Sequence, residues 1–294
     1  MNTLGQSLTY ILAGISVGGQ YALIAIGYTM VYGILRLINF AHGDIFMCAG
    51  LMMVYAATAM PLYFSIPLVI FLTVLLGFVI ERVAYRPLRS APRMSVMISA
   101  IGVSYLLQNL ALYVTGGLSK PYPSIPWISD VITVFGATTK RVTVITPILT
   151  IVLVFGLVML IKHTKIGMAM RAVSKDFETS QLMGIKVDRV ISMTFIIGSF
   201  LAAIGSILFF SNYTGVFPMA GSMPGLKAFV AAVFGGIGSI PGAVVGAFII
   251  GICENLIKGL GLTTFSDAFT FALLIIILIA KPTGLFGEKS TDKV

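Results

Sequence analysis

The chain alternates long apolar runs with short polar interruptions along almost its whole length. A membrane-spanning helix needs about 20 consecutive, mostly apolar residues, and the runs either approach that length or are cut into shorter pieces. The pattern therefore predicts an all-α fold, a polytopic membrane helical bundle with about eight membrane segments, including broken or re-entrant ones. A single transmembrane domain is expected to occupy residues 1–294. The apolar runs are Leu4–Gly33, Ile45–Met60, Pro61–Ile80, Met94–Val114, Thr143–Ile161, Val190–Phe210, Leu226–Phe234, Ala243–Ile257 and Phe265–Ala280.

Two interruptions fall where a membrane segment would be expected to continue. The first is the polar sequence Arg36–Asp44, and the second is the Gly/Pro-rich sequence Gly235–Gly242. The run Leu226–Phe234 spans about 14 Å as a helix, too short to cross a bilayer. Paired broken helices often border the path of a transporter, although both interruptions could also be ordinary loops. The candidate path residues are Asn39, His42, Asp44, Gly235, Gly236, Gly238 and Pro241.

A charged segment, Lys162–Arg189, separates two of the apolar runs in the second half of the chain. Its part Met168–Met183 contains neither Gly nor Pro and is rich in residues that favour helix, and Gly184 is a suitable stop. The pattern predicts one surface helix that is amphipathic only in part. Such a helix suits a groove of another protein better than it suits a core.

Lysine and arginine counts predict the orientation of the segments. The stretch Arg82–Arg93 holds four arginines, the charged segment holds six Lys or Arg, and the tail after Ala280 holds three Lys. Because basic residues concentrate in cytoplasmic loops, these three stretches are predicted to be cytoplasmic. Alternation then places Thr115–Val142, Ser211–Gly225 and the N-terminus outside.

Composition excludes an ordinary soluble protein. The chain is 58% hydrophobic and 10% charged, whereas soluble domains carry about 25% charged residues. The net charge of +9 comes from basic residues in short loops between apolar runs, which indicates membrane orientation rather than nucleic-acid binding. Cys48 and Cys253 lie inside apolar runs and are interpreted as small buried hydrophobes. No cofactor or metal site is expected.

Two further patterns indicate structural roles. Glu254 and Lys258 have the i,i+4 spacing of an ion pair on a helix. Small residues in the apolar runs permit close helix packing in membranes, and packing is the favoured role of Gly14, Gly18, Gly19, Gly246 and Gly251.

Several stretches together resemble permease subunits of ATP-binding-cassette importers of the LivH-type branched-chain amino-acid family. The resemblance covers nearly all of the chain. The matching stretches are Tyr32–Asp44, Glu81–Arg89, Ala172–Ile185 with Val187–Arg189, Gly235–Ala243 and Lys281–Gly287.

The resemblance implies that residues 162–189 form a cytoplasmic coupling loop seated on an ATPase subunit. Importer permeases share a Glu-Ala-Ala sequence followed after three residues by Gly. Here Glu178, Thr179, Ser180 and Gly184 keep that spacing, with Thr and Ser in place of the alanines and without the later Ile-x-Leu-Pro part. The coupling residues expected on this basis are Arg171, Lys175, Asp176, Glu178, Gln181 and Gly184.

The resemblance also implies the partners and the mechanism. Two ATPase subunits would hydrolyse ATP, a second homologous permease would complete the pore, and an extracytoplasmic binding protein would deliver substrate to the external loops. This chain would then be a non-enzymatic transport subunit that works by alternating access in the bacterial inner membrane. Its surroundings would be the lipid bilayer, with no nucleic acid. It has no Gly-x-x-x-x-Gly-Lys-Ser/Thr loop, in agreement with ATP binding elsewhere.

Alternatives remain for the substrate and for the class of transporter. Related permeases carry other amino acids, amides or urea, and the binding protein that sets selectivity is not in this sequence. A secondary carrier would also have broken helices but would need no ATPase-binding segment, and a channel would conduct by itself.

Overall fold

The computed structural model describes residues 3–89, 91–134, 137–213 and 215–287 and is mainly helical. Within these residues, seven helices are long and apolar enough to cross a membrane. The predicted helical bundle is therefore confirmed; Lys289 and Lys293 of the basic tail lie outside the described residues. The elements are α1 Thr3–Leu35, α2 His42–Ala59, α3 Leu62–Ile80, α4 Arg93–Thr115, β1 Lys120–Pro121, α5 Pro126–Ser129, β2 Val131–Val134, β3 Ala137–Lys140, α6 Arg141–His163, α7 Lys165–Lys175, α8 Phe177–Leu182, α9 Val187–Asn212, β4 Gly215–Val216, α10 Ser222–Gly235, α11 Ile240–Gly259 and α12 Ser266–Ala280.

Helix α1 is the centre of the bundle and packs against α11, α9, α6 and α10. Glycines allow it to approach α11 closely. A Cβ atom on Gly14 would lie 2.8 Å from the Cα of Ile252, and one on Gly18 would lie 2.8 Å from the Cα of Phe248. Gly19, Gly246 and Gly251 face Thr150, Ala231 and Gly18 in the same way. The predicted packing role of these five glycines is confirmed.

The two ends of the bundle differ in chemistry. One end, called the basic face, carries Arg36, the arginines of residues 82–93, α7 and α8, and the tail Lys281–Gly287. The guanidinium of Arg36 donates a hydrogen bond to the carbonyl of Ser174 at 3.3 Å, joining the end of α1 to α7. All described stretches that were predicted to be cytoplasmic therefore lie at one end of the molecule.

The opposite end, called the loop face, is formed largely by the long loop between α4 and α6. Strands β2 and β3 pair as an antiparallel hairpin, and β1 pairs antiparallel with β4, which follows α9. The ammonium of Lys140 donates to the carbonyl of Asn212 at 3.0 Å. Described residues of Thr115–Val142 and the start of Ser211–Gly225 thus form one cap at this end. Gly221 and Gly225, which were also predicted to be external, instead pack against Gly43 inside the bundle.

The first interruption is re-entrant. Helix α1 ends at Leu35, Arg36 has a φ of 54°, and α2 begins at His42. The His42 ring lies against Gly27, about 12 Å before the end of α1. Helix α2 therefore begins inside the bundle, and its first turn includes residues that the sequence assigned to the break.

The second predicted interruption is also present. Helix α10 has 14 residues, about 21 Å, and its first turn lies beside the first turn of α2. A Cβ atom on Gly225 would lie 2.9 Å from the Cα of Gly43. At its other end, α10 turns into α11 through Gly236 and Gly238, with φ angles of 106° and 97°. Two short helices thus begin next to each other within the bundle.

The stretch Arg82–Arg93 is more helical than predicted. Helix α3 continues through a π-helical turn, Glu81–Tyr85, and then a 3-10 turn, Arg86–Leu88. The buried Tyr85 hydroxyl donates to Asn39 Oδ1 at 2.7 Å. Because this contact and the burial of Glu81 keep the turn against the bundle, the helix extends where the charge pattern indicated a loop.

Candidate functional site

Helices α7 and α8 form an exposed helix pair at the basic face. Thr164 caps α7, since its hydroxyl accepts a hydrogen bond from the Gly167 amide at 3.1 Å. Met170 and Val173 are buried in the hydrophobic core, where α7 packs against α9 and α1. The pair is therefore anchored on the bundle along one side and open on the other.

The prediction of one continuous helix over Met168–Met183 is wrong. Asp176 has extended backbone angles and ends α7. Its carboxylate caps α8, accepting from the Thr179 amide at 3.0 Å and from the Thr179 hydroxyl at 2.7 Å. A capping aspartate satisfies helix N–H groups that would otherwise lack partners, which explains the break. Gly184 follows α8 with a φ of 83°, as its role as a stop requires.

All six residues that the resemblance assigned to ATPase coupling are exposed. They are Arg171, Lys175, Asp176, Glu178, Gln181 and Gly184. The sequence reasoning missed the apolar part of this surface. Leu182 is 88% and Met183 is 79% exposed, immediately after the polar face of α8. Exposed apolar side chains surrounded by polar residues are typical of protein–protein contacts. The signal available in the sequence was that Leu182 and Met183 directly precede the helix stop Gly184.

Charged groups beside the helix pair connect α3 with α9. Asp188 accepts from Arg86 at 2.7 Å and also from Arg89. Arg89 reaches further to Glu81, a fully buried carboxylate that also accepts from Ser192 at 2.7 Å. This network fixes the start of α9 to the π-helical turn, so the exposed helix pair rests on a rigid base.

Asn39 and His42 lie inside the helix packing. Asn39 accepts from Tyr85, and the His42 ring meets Tyr28 edge-to-face with centroids 5.1 Å apart. His42 Nε2 has no hydrogen-bond partner among the described residues and faces Gly27. Both side chains hold the first turn of α2 in place, and their predicted position at the path stays a prediction.

Asp44 faces away from these packing contacts, toward α4. Its carboxylate accepts from the hydroxyl of Ser104 and from Gln108 Nε2, the latter at 3.0 Å. Only 2% of Asp44 is exposed, whereas Ser104 and Gln108 are half-buried. The structure therefore places His42 and Asp44 on different sides of α2, although they are only two residues apart.

The predicted path glycines lie elsewhere. The turn that contains Gly235, Gly236, Gly238 and Pro241 is at the basic face, close to Gly33. The tail covers it, because the amide of Phe286 donates to the carbonyl of Gly235 at 2.9 Å. The structure thus separates this turn from Asp44. Gly236 packs against the tail and Gly235 against Gly242, whereas Gly238 has open space in front of it.

Helix α4 has an unusual outer surface. Its apolar stretch is only 22% buried and has a mean hydropathy of 1.5. The apolar stretches of α6 and α12, which are also exposed, have higher mean hydropathies of 2.8 and 2.0. Gly102, Tyr105 and Asn109 are exposed at helical spacing on its outer side. Large apolar side chains such as Ile98 and Leu106 are exposed on the same helix, so the outer side of α4 is mostly apolar with a small, less hydrophobic patch. Small and polar residues of this kind permit close contact with another helix. The sequence reasoning treated α4 as an ordinary span and missed this patch.

A buried ion-pair network lies near the loop face. Lys227 contacts Glu254 at 2.8 Å and Asp267 at 2.6 Å, and Lys258 contacts Glu254 at 2.6 Å. The Tyr21 hydroxyl also donates to Glu254 at 3.0 Å. The predicted Glu254–Lys258 pair is present, within a network that joins four helices. Separately, no group of three or more His, Cys, Asp or Glu suited to a metal ion occurs in the described part of the chain.

Comparison with known proteins identifies the family. A model of the family described as branched-chain amino acid transport system / permease component matches residues 10–278. The permease protein LivH of the high-affinity branched-chain amino acid transport system of Salmonella typhimurium is 40% identical, with 96% of each chain covered. The corresponding protein BraD of Pseudomonas aeruginosa is 38% identical, with 98% of each chain covered.

A solved structure supports the fold. It is an inward-facing conformation of a metal-chelate type ABC transporter, with a TM-score of 0.50 and 16% identity, covering 95% of this chain and 89% of the other. The seven apolar helices and these relatives make the chain a multi-pass membrane protein. It belongs to the family of permease components of branched-chain amino acid transport systems.

Proposed function

We propose that this chain is the membrane-spanning permease subunit of an ATP-driven importer for branched-chain amino acids, located in a bacterial inner membrane. The observation that carries the proposal is the exposed helix pair α7–α8 at the basic face. It combines uncovered apolar side chains, Leu182 and Met183, with exposed charges on a rigidly anchored base. This is the composition of a docking surface for a soluble protein.

The partner proposed for the helix pair is an ATPase subunit, with two such subunits in the complete importer. Arg171, Lys175, Glu178 and Gln181 would contact it directly, since they are exposed. Asp176 would act by holding the angle between α7 and α8, because its carboxylate caps α8. Movement of the ATPase would be transmitted to α9 and α1 through the buried side of α7.

A second, homologous permease is proposed to cover the outer side of α4, around the patch of Gly102 and Asn109. Within this chain, α4 contacts mainly α2 and the π-helical turn. A Cβ atom on Gly102 would meet nothing within 4 Å. The transport path would run between the two permeases, along α4 and the first turn of α2. The binding protein would dock on the loop face, where the long loop and β4 form one cap.

Alternating access is the mechanism that this arrangement favours. Helix α10 is shorter than a full span, and α2 begins inside the bundle. Their first turns touch through Gly43 and Gly225. Short helices that meet at depth can change the exposure of a central site without crossing the whole bilayer. Urea or amide import by the same architecture is the second candidate, favoured by the neutral polar groups Ser104 and Gln108.

The test is uptake by the complex reconstituted in liposomes, with the binding protein and leucine outside and ATP inside. Glu178→Lys and Gly184→Trp are expected to abolish uptake while leaving membrane insertion intact. A Cβ atom on Gly184 meets nothing within 4 Å in this chain, so the space in front of it is free for a partner, while the φ of 83° strains any side chain placed there. Gly261→Trp is the matched control, since Gly261 has a similar φ of 81° and equally open surroundings.

Three results would contradict the proposal. Uptake that persists without ATP or without ATPase subunits would indicate a secondary carrier. Uptake that is unchanged in Gly184→Trp would remove the coupling role of α8. Transport of urea in place of leucine by the assembled complex would support the second candidate.

A further inference from the structure

Asp44 differs from the other buried carboxylates of the chain. Among the described residues, the buried carboxylates are Asp44, Glu81 and Glu254. Glu81 contacts Arg89, and Glu254 contacts Lys227 and Lys258. Asp44 has only neutral donors in the described part of the chain, the hydroxyl of Ser104 and the amide of Gln108. Of the buried carboxylates that the structure describes, it is therefore the one without a cation.

The position of Asp44 makes this absence costly. Ser104 lies about 17 Å along α4 from the basic-face end of that helix, so the carboxylate is deep within the span. Ionisable groups at such depth are usually paired or functional. Its place in the first turn of α2, at the positive end of the helix dipole, offsets part of the cost of a carboxylate charge there. A carboxylate can accept about four hydrogen bonds, and capacity for a further donor remains.

The cluster formed by Asp44, Ser104 and Gln108 also borders an open surface. Ser104 and Gln108 are half-buried at the edge of the exposed side of α4, and Cys48, one turn after Asp44 on α2, is half-buried as well. A cation arriving along α4 would meet the two neutral side chains first and the carboxylate directly behind them. An ammonium group carries three N–H donors, which Asp44 and the amide oxygen of Gln108 can accept.

We propose that Asp44, assisted by Ser104 and Gln108, binds the primary ammonium group of the transported amino acid. The inference rests on the proposed function, since it assumes that the path runs along α4. It adds a chemical requirement: the site selects substrates that carry a primary ammonium group. A neutral amide or urea could donate a hydrogen bond to Asp44 but would not neutralise the charge of its carboxylate, as an ammonium group does.

The first measurement is leucine uptake by the reconstituted complex, compared at equal amounts of assembled complex. Asp44→Asn is expected to lower uptake about tenfold or more, because a hydrogen bond to a charged group is lost, and Gln108→Ala should lower it less. Ser99→Ala is the control on the same helix, since its hydroxyl donates to the Ala84 carbonyl at 3.0 Å and lies outside the cluster. It should transport as the unmodified chain does.

The second measurement uses Cys48 as a reporter in a Cys253→Ser background, with N-ethylmaleimide as the probe. Leucine and isopentylamine, which both carry the ammonium group, should slow labelling of Cys48. The oxo acid 4-methyl-2-oxopentanoate, which lacks the ammonium group, should not. Asp44→Asn should remove the protection.

The outcomes separate the two proposals. A complex with the unmodified chain that takes up no leucine contradicts the proposed function. A complex that transports leucine but shows full uptake in Asp44→Asn overturns the ammonium site. Equal protection by the oxo acid, or no protection by leucine in a complex that transports it, overturns the ammonium site as well.

Discussion

Replacing Arg89 by Gln should destabilise the fold far more than the same change at Arg86. Both arginines contact Asp188, whose side chain is 54% exposed, but only Arg89 reaches Glu81, whose side chain is fully buried. Without Arg89, the Glu81 carboxylate would keep only the hydroxyl of Ser192 as a partner among the described residues.

The magnitude follows from burial. Breaking a buried ion pair by removing one partner costs about 3–5 kcal/mol, because the other charge stays desolvated. An exposed pair contributes about 0–1 kcal/mol, and the Arg86 side chain is 35% exposed. We expect Arg89→Gln to lower the free energy of unfolding by about 3 kcal/mol and Arg86→Gln by less than about 1 kcal/mol.

The assay is unfolding in mixed micelles by increasing SDS, followed by circular dichroism of the helices. A double variant provides the internal control. In Arg89→Gln with Glu81→Gln, no charge remains buried at this position, so most of the lost stability should return. Equal losses for Arg86→Gln and Arg89→Gln would refute the reasoning, and so would a double variant as unstable as Arg89→Gln alone.

Two further changes probe packing and the second ion network. Gly14→Leu should lower the melting temperature, because a Cβ atom there would lie only 2.8 Å from the Cα of Ile252 and overpacking costs about 1–3 kcal/mol. Gly156→Leu on α6 is the control and should not lower it, since a Cβ atom there meets nothing within 4 Å. Equal thermal shifts for the two variants would contradict the close contact between α1 and α11. Glu254→Gln should lower the free energy of unfolding in the SDS assay by about 3 kcal/mol. Asp267→Asn should lower it by less than about 1 kcal/mol, because the Asp267 side chain is 43% exposed. The reverse order would count against burial as the cause.

The prediction at α7 and α8 shows where sequence reasoning was limited. The absence of Gly and Pro over Met168–Met183 predicted one helix, and helix propensity alone supports that. Asp176 broke it because its carboxylate finds the Thr179 amide in a local capping geometry, which competes with the helix. The charged pattern identified the surface but not the exposed Leu182 and Met183.

The surroundings of Asp44 could be predicted only in part. The sequence singled out Asp44, since an acidic residue beside apolar runs is rare in this chain. It could not supply Ser104 and Gln108, which lie on a helix some sixty residues away and contact Asp44 only in the folded bundle. It also grouped the glycine turn Gly235–Pro241 with Asp44, whereas packing places that turn at the basic face under the tail.

The sequence by itself determined the membrane character, the approximate segment boundaries, the two interruptions and the segregation of basic stretches to one end. These properties depend on local hydrophobicity and on the cost of moving charges across a bilayer, which can be counted along the chain. Only the tertiary structure decided which buried charges are paired, which side chains of α4 meet Asp44, and that α2 and α10 begin side by side. Those properties depend on contacts between residues far apart in sequence, such as Gly43 with Gly225 and Glu81 with Arg89.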